Sequence, residues 1–201
     1  MTDIITDSKI ITGGGSTISS IFIQNETIQD DGTVNRLIET CAESQENLRT
    51  LYYMFKKSIF AVAFSITSDY HLSEDCVSET FIRLTQVRNF NPKKGDGKGY
   101  IHKIARNVAL ELRRSHKHNI DDIFVAHYGE TDETLENSIY INQLLEVLND
   151  KQRQIVVMKC CSGLTFKEIA KIMKCPETTV KSRYQRAISL LKKKAGVNGE
   201  K

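Results

Sequence analysis

The 201-residue chain has no tryptophan, only two prolines and no long uninterrupted apolar run. A membrane-spanning helix needs about 20 consecutive apolar residues, so no span is expected. The N-terminus shows no basic segment leading into an apolar block. That pattern gives no secretory signal and makes the cytoplasm the expected compartment. The five cysteines (Cys41, Cys76, Cys160, Cys161, Cys175) are odd in number and lack Cys-x-x-Cys spacing. Disulfide frameworks belong to oxidising compartments, and structural zinc needs close ligand pairs. Reduced, structural thiols are therefore expected, and His116, His118 and His127 read as solvated loop residues. No nucleophile–base set, phosphate loop or metal cluster is visible, which points away from an enzyme and from any metal or cofactor.

What is present is charge in blocks. Residues 1–33 carry one Lys/Arg against five Asp/Glu, and residues 34–114 carry 13 against nine. Residues 115–137 carry one against six, and residues 138–201 carry 13 against five. Two basic blocks thus flank an acidic stretch, beneath a net charge of only +3. Basic blocks on helices suit a polyanionic partner, although a solvated lysine-rich face gives the same composition.

Periodicity divides the chain further. Residues 1–33, with Gly13-Gly14-Gly15-Ser16, follow neither helical nor strand spacing and read as a disordered extension. From Val34 onward apolar residues recur at three and four, through Leu37, Ile38 and Cys41, then Leu48, Leu51, Tyr52 and Phe55, then Ile59, Val62, Ala63 and Ile66. That spacing buries one helical face. After a break at Thr67-Ser68-Asp69, Ser73 is the expected N-cap of a helix that turns Val77, Phe81, Leu84 and Val87 inward. Residues 91–99 hold three glycines and one proline and read as a loop. The next helix is expected to bury Tyr100, Ile104, Val108 and Leu112. Residues 34–114 therefore form one helical bundle, and the acidic, aperiodic 115–137 a linker. A second helical unit spans 138–196. Its first helix turns Ile141, Leu144, Leu145 and Leu148 inward. Asp150 is the expected cap of the next, which runs to Gly163. The expected fold is all-α, in two small domains.

The densest motif runs from Leu164 to Arg183. Thr165 and Glu168 form a capping box opening a short helix, with Ile169, Ala170 and Met173 on its buried side. Lys174-Cys175 makes the turn, and Pro176 stands at the start of the next helix, where its missing N–H is harmless. Val180, Tyr184, Ala187 and Leu191 face inward, leaving Thr178, Lys181, Ser182, Gln185 and Arg186 for a partner. Two short helices, the second longer and basic, match the helix-turn-helix that sets a recognition helix in the DNA major groove. A structural hairpin with a wet basic face is the bland alternative.

At this point the residues resemble a known family. Gly163-Leu164-Thr165, Glu168-Ile169-Ala170 and Thr179-Val180-Lys181-Ser182-Arg183 are similar to region 4 of sigma-70-type initiation factors. Response-regulator helix-turn-helix domains share part of that pattern, so a stand-alone helix-turn-helix regulator stays open as the alternative. The first unit discriminates. Glu74 to Leu84 resembles the region 2 helix that docks on core RNA polymerase, and Ile104 to Arg114 resembles the segment engaging the −10 promoter element. Regions 2 and 4 alone are recognised, as in the compact extracytoplasmic-function (ECF) class. The sequence departs from the family at Ser78 (usually Gln), Gly97 (usually aromatic), Tyr100 (usually Trp) and Asn149 (usually Pro).

The resemblance implies a bacterial sigma factor that binds core polymerase, recognises promoter DNA as −35 duplex and melted −10 strand, and aids strand opening. Glu74, Asp75, Ser78, Glu79 and Arg83 would meet the polymerase. Lys94, Asp96, Lys98, Lys103, Arg106, Asn107, Arg113 and Arg114 would hold the −10 region, with an unstacked base received by the 91–99 loop. Glu177, Thr178, Thr179, Lys181, Ser182, Arg183 and Arg186 would grip the −35 duplex. The acidic linker would either thread a basic channel in place of RNA or serve as a spacer. An anti-sigma factor or a recruiting protein is the further partner class the resemblance admits.

Overall fold

A computed structural model describes residues 31–87, 90–91, 96–116 and 145–195. Residues 1–30 of the N-terminal extension, the acidic linker from 117, Pro92, Lys94, Ile141 and Leu144 lie outside them, whereas residues 31–33, read as part of the extension, open the first helix. Among the described residues there are seven α-helices and no strand. They are α1 (Asp31–Thr40), α2 (Gln45–Thr67), α3 (Tyr70–Thr85), α4 (Gly97–Ser115), α5 (Asp150–Cys160), α6 (Phe166–Met173) and α7 (Glu177–Lys194). None is long and apolar enough to cross a membrane.

Helices α1–α4 form a bundle whose lower core gathers Val34, Ile38, Leu51, Phe55, Ile59, Phe81, Leu84, Ile101 and Ala105. Each fully buried aliphatic side chain contributes about 1.5–3 kcal/mol over an exposed one. The 23-residue α2 is the spine. It ends where Ser68 takes a left-handed conformation, φ 55°, at the predicted break.

Three N-caps differ from expectation. Asp69, not Ser73, caps α3, its Oδ1 accepting from Leu72 N–H at 2.8 Å. Ser73 is buried one turn later, donating to the Asp69 carbonyl at 2.5 Å. Asn149, not Asp150, caps α5 in a complete capping box with Gln152. The Asn side chain therefore supplies what a capping residue must, a side-chain acceptor for a first-turn N–H. Asp96 caps α4 by accepting from Gly99 N–H at 3.2 Å. Helix α4 consequently begins inside the segment read as loop, with Gly97, Lys98 and Gly99 in its first turn.

The buried face of α4 is only partly the expected one, with Val108 enclosed as predicted. Ile101, Ala105, Val108 and Ala109 are the enclosed positions, while Tyr100, Ile104 and Leu112 are half-buried. Helix α4 packs against α1, α2 and α3 on one side and α6 on another. Its apolar face is consequently broad, running from Tyr100 and Ile104 round to Ala105 and Ala109, opposite the exposed Lys103, Asn107 and Arg114.

In the second group, the Thr165–Glu168 capping box is present as predicted. Lys174 makes the turn with φ 51°, and Pro176 stands at the N-cap of α7. Ile169 and Ala170 are buried; Ile172 rather than Met173 completes that face. Val180, Ala187 and Leu191 are buried on α7, and Tyr184 packs beside them. Helix α5 holds four consecutive buried residues, Ile155, Val156, Val157 and Met158. A helix that is apolar all round is enclosed on all sides. Here α6 and α7 cover part of α5 and α2 of the first bundle another part, while Asp150, Lys151 and Cys160 at its ends stay exposed. One shared core joins Val62, Ala63, Ile66, Val108 and Ala109 to Ile155, Met158, Leu164, Ile169 and Val180.

Candidate nucleic-acid and protein interface

The helix-turn-helix is built as its sequence requires, and its outer surface is polar. Thr178, Lys181, Gln185 and Arg186 are exposed; Glu177, Thr179, Ser182 and Arg183 are half-buried. Lys181 Nζ pairs with Glu177 Oε1 at 2.7 Å, one turn apart on an exposed surface. Such a pair contributes under about 1 kcal/mol, so the lysine exchanges partners readily. Ser182 Oγ donates to the Thr179 carbonyl at 3.1 Å, which fixes it close to its own helix. A groove of about 490 Å³ lies between the start of α5 and α7, lined by Asn149, Asp150, Lys151, Gln152, Arg183 and Arg186. Lys151 was not singled out in the sequence, because it sits outside the helix-turn-helix motif.

Helix α3 carries a second surface. Glu74, Asp75, Ser78 and Ile82 are exposed at spacings of one, three and four, a single stripe along the helix. Ile82 is 52% exposed, and Tyr53 on the neighbouring α2 is 59% exposed. These two apolar groups were missed in the sequence because periodicity finds buried faces, not exposed exceptions. Lys56 lies over the rings of Tyr52 and Tyr53, at 5.5 and 5.1 Å. The other two residues assigned to this surface sit off the stripe. Arg83 Nε pairs with Glu79 at 2.7 Å and its Nη2 with Glu111 of α4 at 2.8 Å. Those two carboxylates hold the Arg83 guanidinium above its ordinary pKa.

The cations of α4 fall into two groups. Lys103, Asn107 and Arg114 are exposed. Arg106 and Arg113 instead point at the second group of helices. Arg106 Nε donates to Gln154 Oε1 at 3.0 Å. Arg113 Nη1 donates to the Ile66 carbonyl at 3.1 Å and to Asp150 Oδ2 at 2.7 Å. Burial against α5 pushes the Arg106 pKa down from its usual value, without bringing an arginine near deprotonation at neutral pH. Asp96 is committed to its cap, and Lys98 Nζ lies 3.3 Å from where a Cβ on Gly163 would stand. Lys94 is outside the described residues.

Gly97 has a steric reason to be glycine. Its N–H donates to Asn35 Oδ1 at 2.8 Å, and a Cβ there would meet that oxygen at 2.5 Å and Ile38 Cδ1 at 2.8 Å. A side chain at this position has to push aside the side-chain ends of Asn35 and Ile38, and with them the Gly97 N–H contact.

Buried groups between these surfaces are structural. His102 is fully enclosed beside Phe55. Its Nδ1 lies 2.8 Å from the Lys98 carbonyl, which only accepts, so Nδ1 carries the proton. Nε2 then faces Ser58 Oγ at 3.1 Å as acceptor. Burial lowers its pKa from 6.5 to about 4, so it is neutral. Burial likewise pushes the Cys76 thiol up to about 11 and that of Cys161 well above its usual value. Among the described residues no group of three or more His, Cys, Asp or Glu is placed to hold a metal.

Comparison with known proteins agrees with both halves. Residues 51–119 match the family described as sigma-70 region 2, and residues 138–191 match sigma-70, region 4. Together the matches cover more than half of the chain. The ECF RNA polymerase sigma factor SigM of Bacillus subtilis is 28% identical over 160 residues, spanning 75% of this chain and 97% of that protein. SigW of the same organism, also an ECF sigma factor, is 25% identical over 167 residues, 74% of this chain and 89% of its own. The fold resembles that of CnrH, solved in complex with the cytosolic domain of CnrY, with a TM-score of 0.64 at 18% identity. That likeness covers 83% of this chain and 99% of the other. It also resembles RpoE, solved with the anti-sigma factor NepR from Bartonella quintana (TM-score 0.60, 22% identity, 77% and 99% coverage).

Proposed function

We infer the function from membership: the chain belongs to the extracytoplasmic-function class of sigma-70 factors, and its role is in transcription initiation. In the proposed mechanism it binds core RNA polymerase reversibly, recognises −10 and −35 promoter elements and aids strand opening. An anti-sigma protein is a further proposed partner, on the model of the complex solved for RpoE.

The observation that carries this reading is the pairing of two unlike surfaces on one chain. The α7 surface is basic and set by a capped helix-turn-helix. The α3 stripe is acidic with an apolar end, a surface suited to a protein and repelled by DNA. A stand-alone regulator needs only the first. We assign the stripe Glu74, Asp75, Ser78 and Ile82, flanked by Tyr53, to the polymerase, with Glu79 and Arg83 bracing it against α4.

On the DNA side, Lys181, Arg183 and Arg186 neutralise −35 phosphates, while Glu177, Thr178, Thr179 and Ser182, near the helix N-terminus, reach base edges. Lys103, Asn107 and Arg114 form the exposed part of the −10 surface. Arg106 and Arg113 join it once their present partners are displaced. Extruding a base costs a few kcal/mol, and Gly97 supplies no ring to stack it. Lys98 and Lys94, the latter outside the described residues, would contribute polar contacts there. No catalytic step is proposed for the chain itself.

Run-off transcription with purified core polymerase on a genomic promoter library tests the proposal. Promoter-specific transcripts that need both components are expected. Operator binding without any polymerase-dependent transcript would favour the stand-alone regulator.

A further inference from the structure

Helix α7 opens on its only acid. Every other charged residue of Glu177–Lys194 is Lys or Arg, as suits a helix that meets a polyanion, so a carboxylate at its entry needs a reason. End capping does not supply one. In α6 the Glu168 carboxylate folds back and accepts from the backbone N–H of its N-cap, Thr165. At α7 the N-cap is Pro176, and no side-chain cap hydrogen bond is present. The Glu177 carboxylate runs forward instead, its Oε1 accepting from Lys181 Nζ at 2.7 Å. The Glu177 and Lys181 side chains remain 41% and 52% exposed.

We infer that Glu177 sets a base preference of α7, its carboxylate accepting from the N4 amino group of one cytosine in the major groove. The inference rests on the −35 reading proposed above and names a base pair within it. The first residues of a recognition helix are those that meet base edges. A carboxylate only accepts hydrogen bonds, so it needs a donor on the groove edge. Guanine and thymine offer it acceptors and a methyl group; only cytosine N4 and adenine N6 donate. The adenine amino group stands between two acceptors, its own N7 and the O4 of the paired thymine, and both repel a carboxylate. The cytosine amino group has an acceptor on one side only, the O6 of its guanine. Lys181 makes the carboxylate compatible with the duplex. Its ammonium carries three donors, so it holds Glu177 with one N–H while another reaches a phosphate. The same contact neutralises Glu177 against the phosphate field and aims it.

The test is in vitro selection from a randomised duplex by the full-length chain, run for wild type, Glu177→Ala and Glu177→Gln, with thermal melts to check that each variant folds. Wild type should enrich a motif with cytosine in one column, preferred about five- to fiftyfold over the other bases. Glu177→Ala should flatten that column and keep the others. Glu177→Gln, which both donates and accepts and so matches adenine N6 and N7, should move the column toward adenine. A direct check replaces the selected cytosine by 2-pyrimidinone, which lacks the 4-amino group. Wild type should lose about fivefold or more affinity beyond the loss seen with Glu177→Ala on the same pair of duplexes. Equal losses in the two chains would overturn the inference. So would a cytosine column unchanged in Glu177→Ala, or a uniform loss of affinity with every column kept, which would leave Glu177 only its effect on the helix dipole. A wild-type motif with no such column would overturn the inference and leave the −35 reading standing. A wild type that enriches no motif would overturn the −35 reading itself.

Discussion

The backbone N–H of Gly97 is seated 2.8 Å from Asn35 Oδ1, pinning the first turn of α4 to α1. Any Cβ at residue 97 drives into that oxygen and into Ile38. Gly97→Ala should therefore destabilise the chain by about 0.5–1.5 kcal/mol, the hydrogen bond lost when the Asn35 side chain swings aside, read as a lower urea midpoint. An unchanged midpoint would mean that α1 moves aside without cost. Gly97→Tyr, which installs the family's usual residue type, should be worse.

His102 gives the fold a pH dependence. Its folded pKa of about 4 lies below the unfolded value of 6.5. Between those values the unfolded chain binds the extra proton, so stability rises with pH across the window and is flat above it. Falling from pH 6.5 toward 4, the wild type should lose up to about 3 kcal/mol from this group. His102→Gln, which does not titrate, should show a shallower fall over the same range in denaturant titrations. Parallel curves would show that the imidazole is not the group responsible.

Capping in the helix-turn-helix is separable from its DNA contacts. Thr165→Ala removes the acceptor for Glu168 N–H at 3.2 Å and should cost about 1 kcal/mol. The melting temperature should drop, while −35 affinity measured well below it should hold. A large loss of affinity at full folding would assign Thr165 to the DNA instead.

Arg186 is exposed on α7 and lines the groove beside Lys151. Arg186→Ala should weaken duplex binding across sequences and reduce the slope of log affinity against log salt by about one. An unchanged slope would remove Arg186 from the phosphate contacts.

How legible these features were in the sequence depended on how local their causes are. The Thr165–Glu168 box, the Lys174 turn and the inward set Val180, Ala187 and Leu191 are fixed within a few residues, and the sequence alone placed them. The caps at Asp69 and Asn149 were displaced because Ser73 and Asp150 are equally good cap types. Which one terminates the helix depends on where the preceding chain turns. The buried face of α4 was only partly placed because that helix packs on two sides. His102 was invisible as a core residue, since a polar side chain carries no periodic signal and its burial is licensed by Ser58 and the Lys98 carbonyl. The division of α4's cations followed from contacts 37 and 48 residues apart in sequence, which no local pattern encodes.

The central claim is that this chain is a detachable, promoter-reading part of RNA polymerase, docked through the α3 stripe. Asp75 is exposed on that stripe and far in role from α7, so Asp75→Lys separates the two activities. Co-elution with core polymerase, measured beside −35 duplex affinity of the same preparation, tests the claim most directly. The account predicts that the variant fails to co-elute with core polymerase and yet binds the duplex like wild type. Normal holoenzyme formation by Asp75→Lys would contradict it.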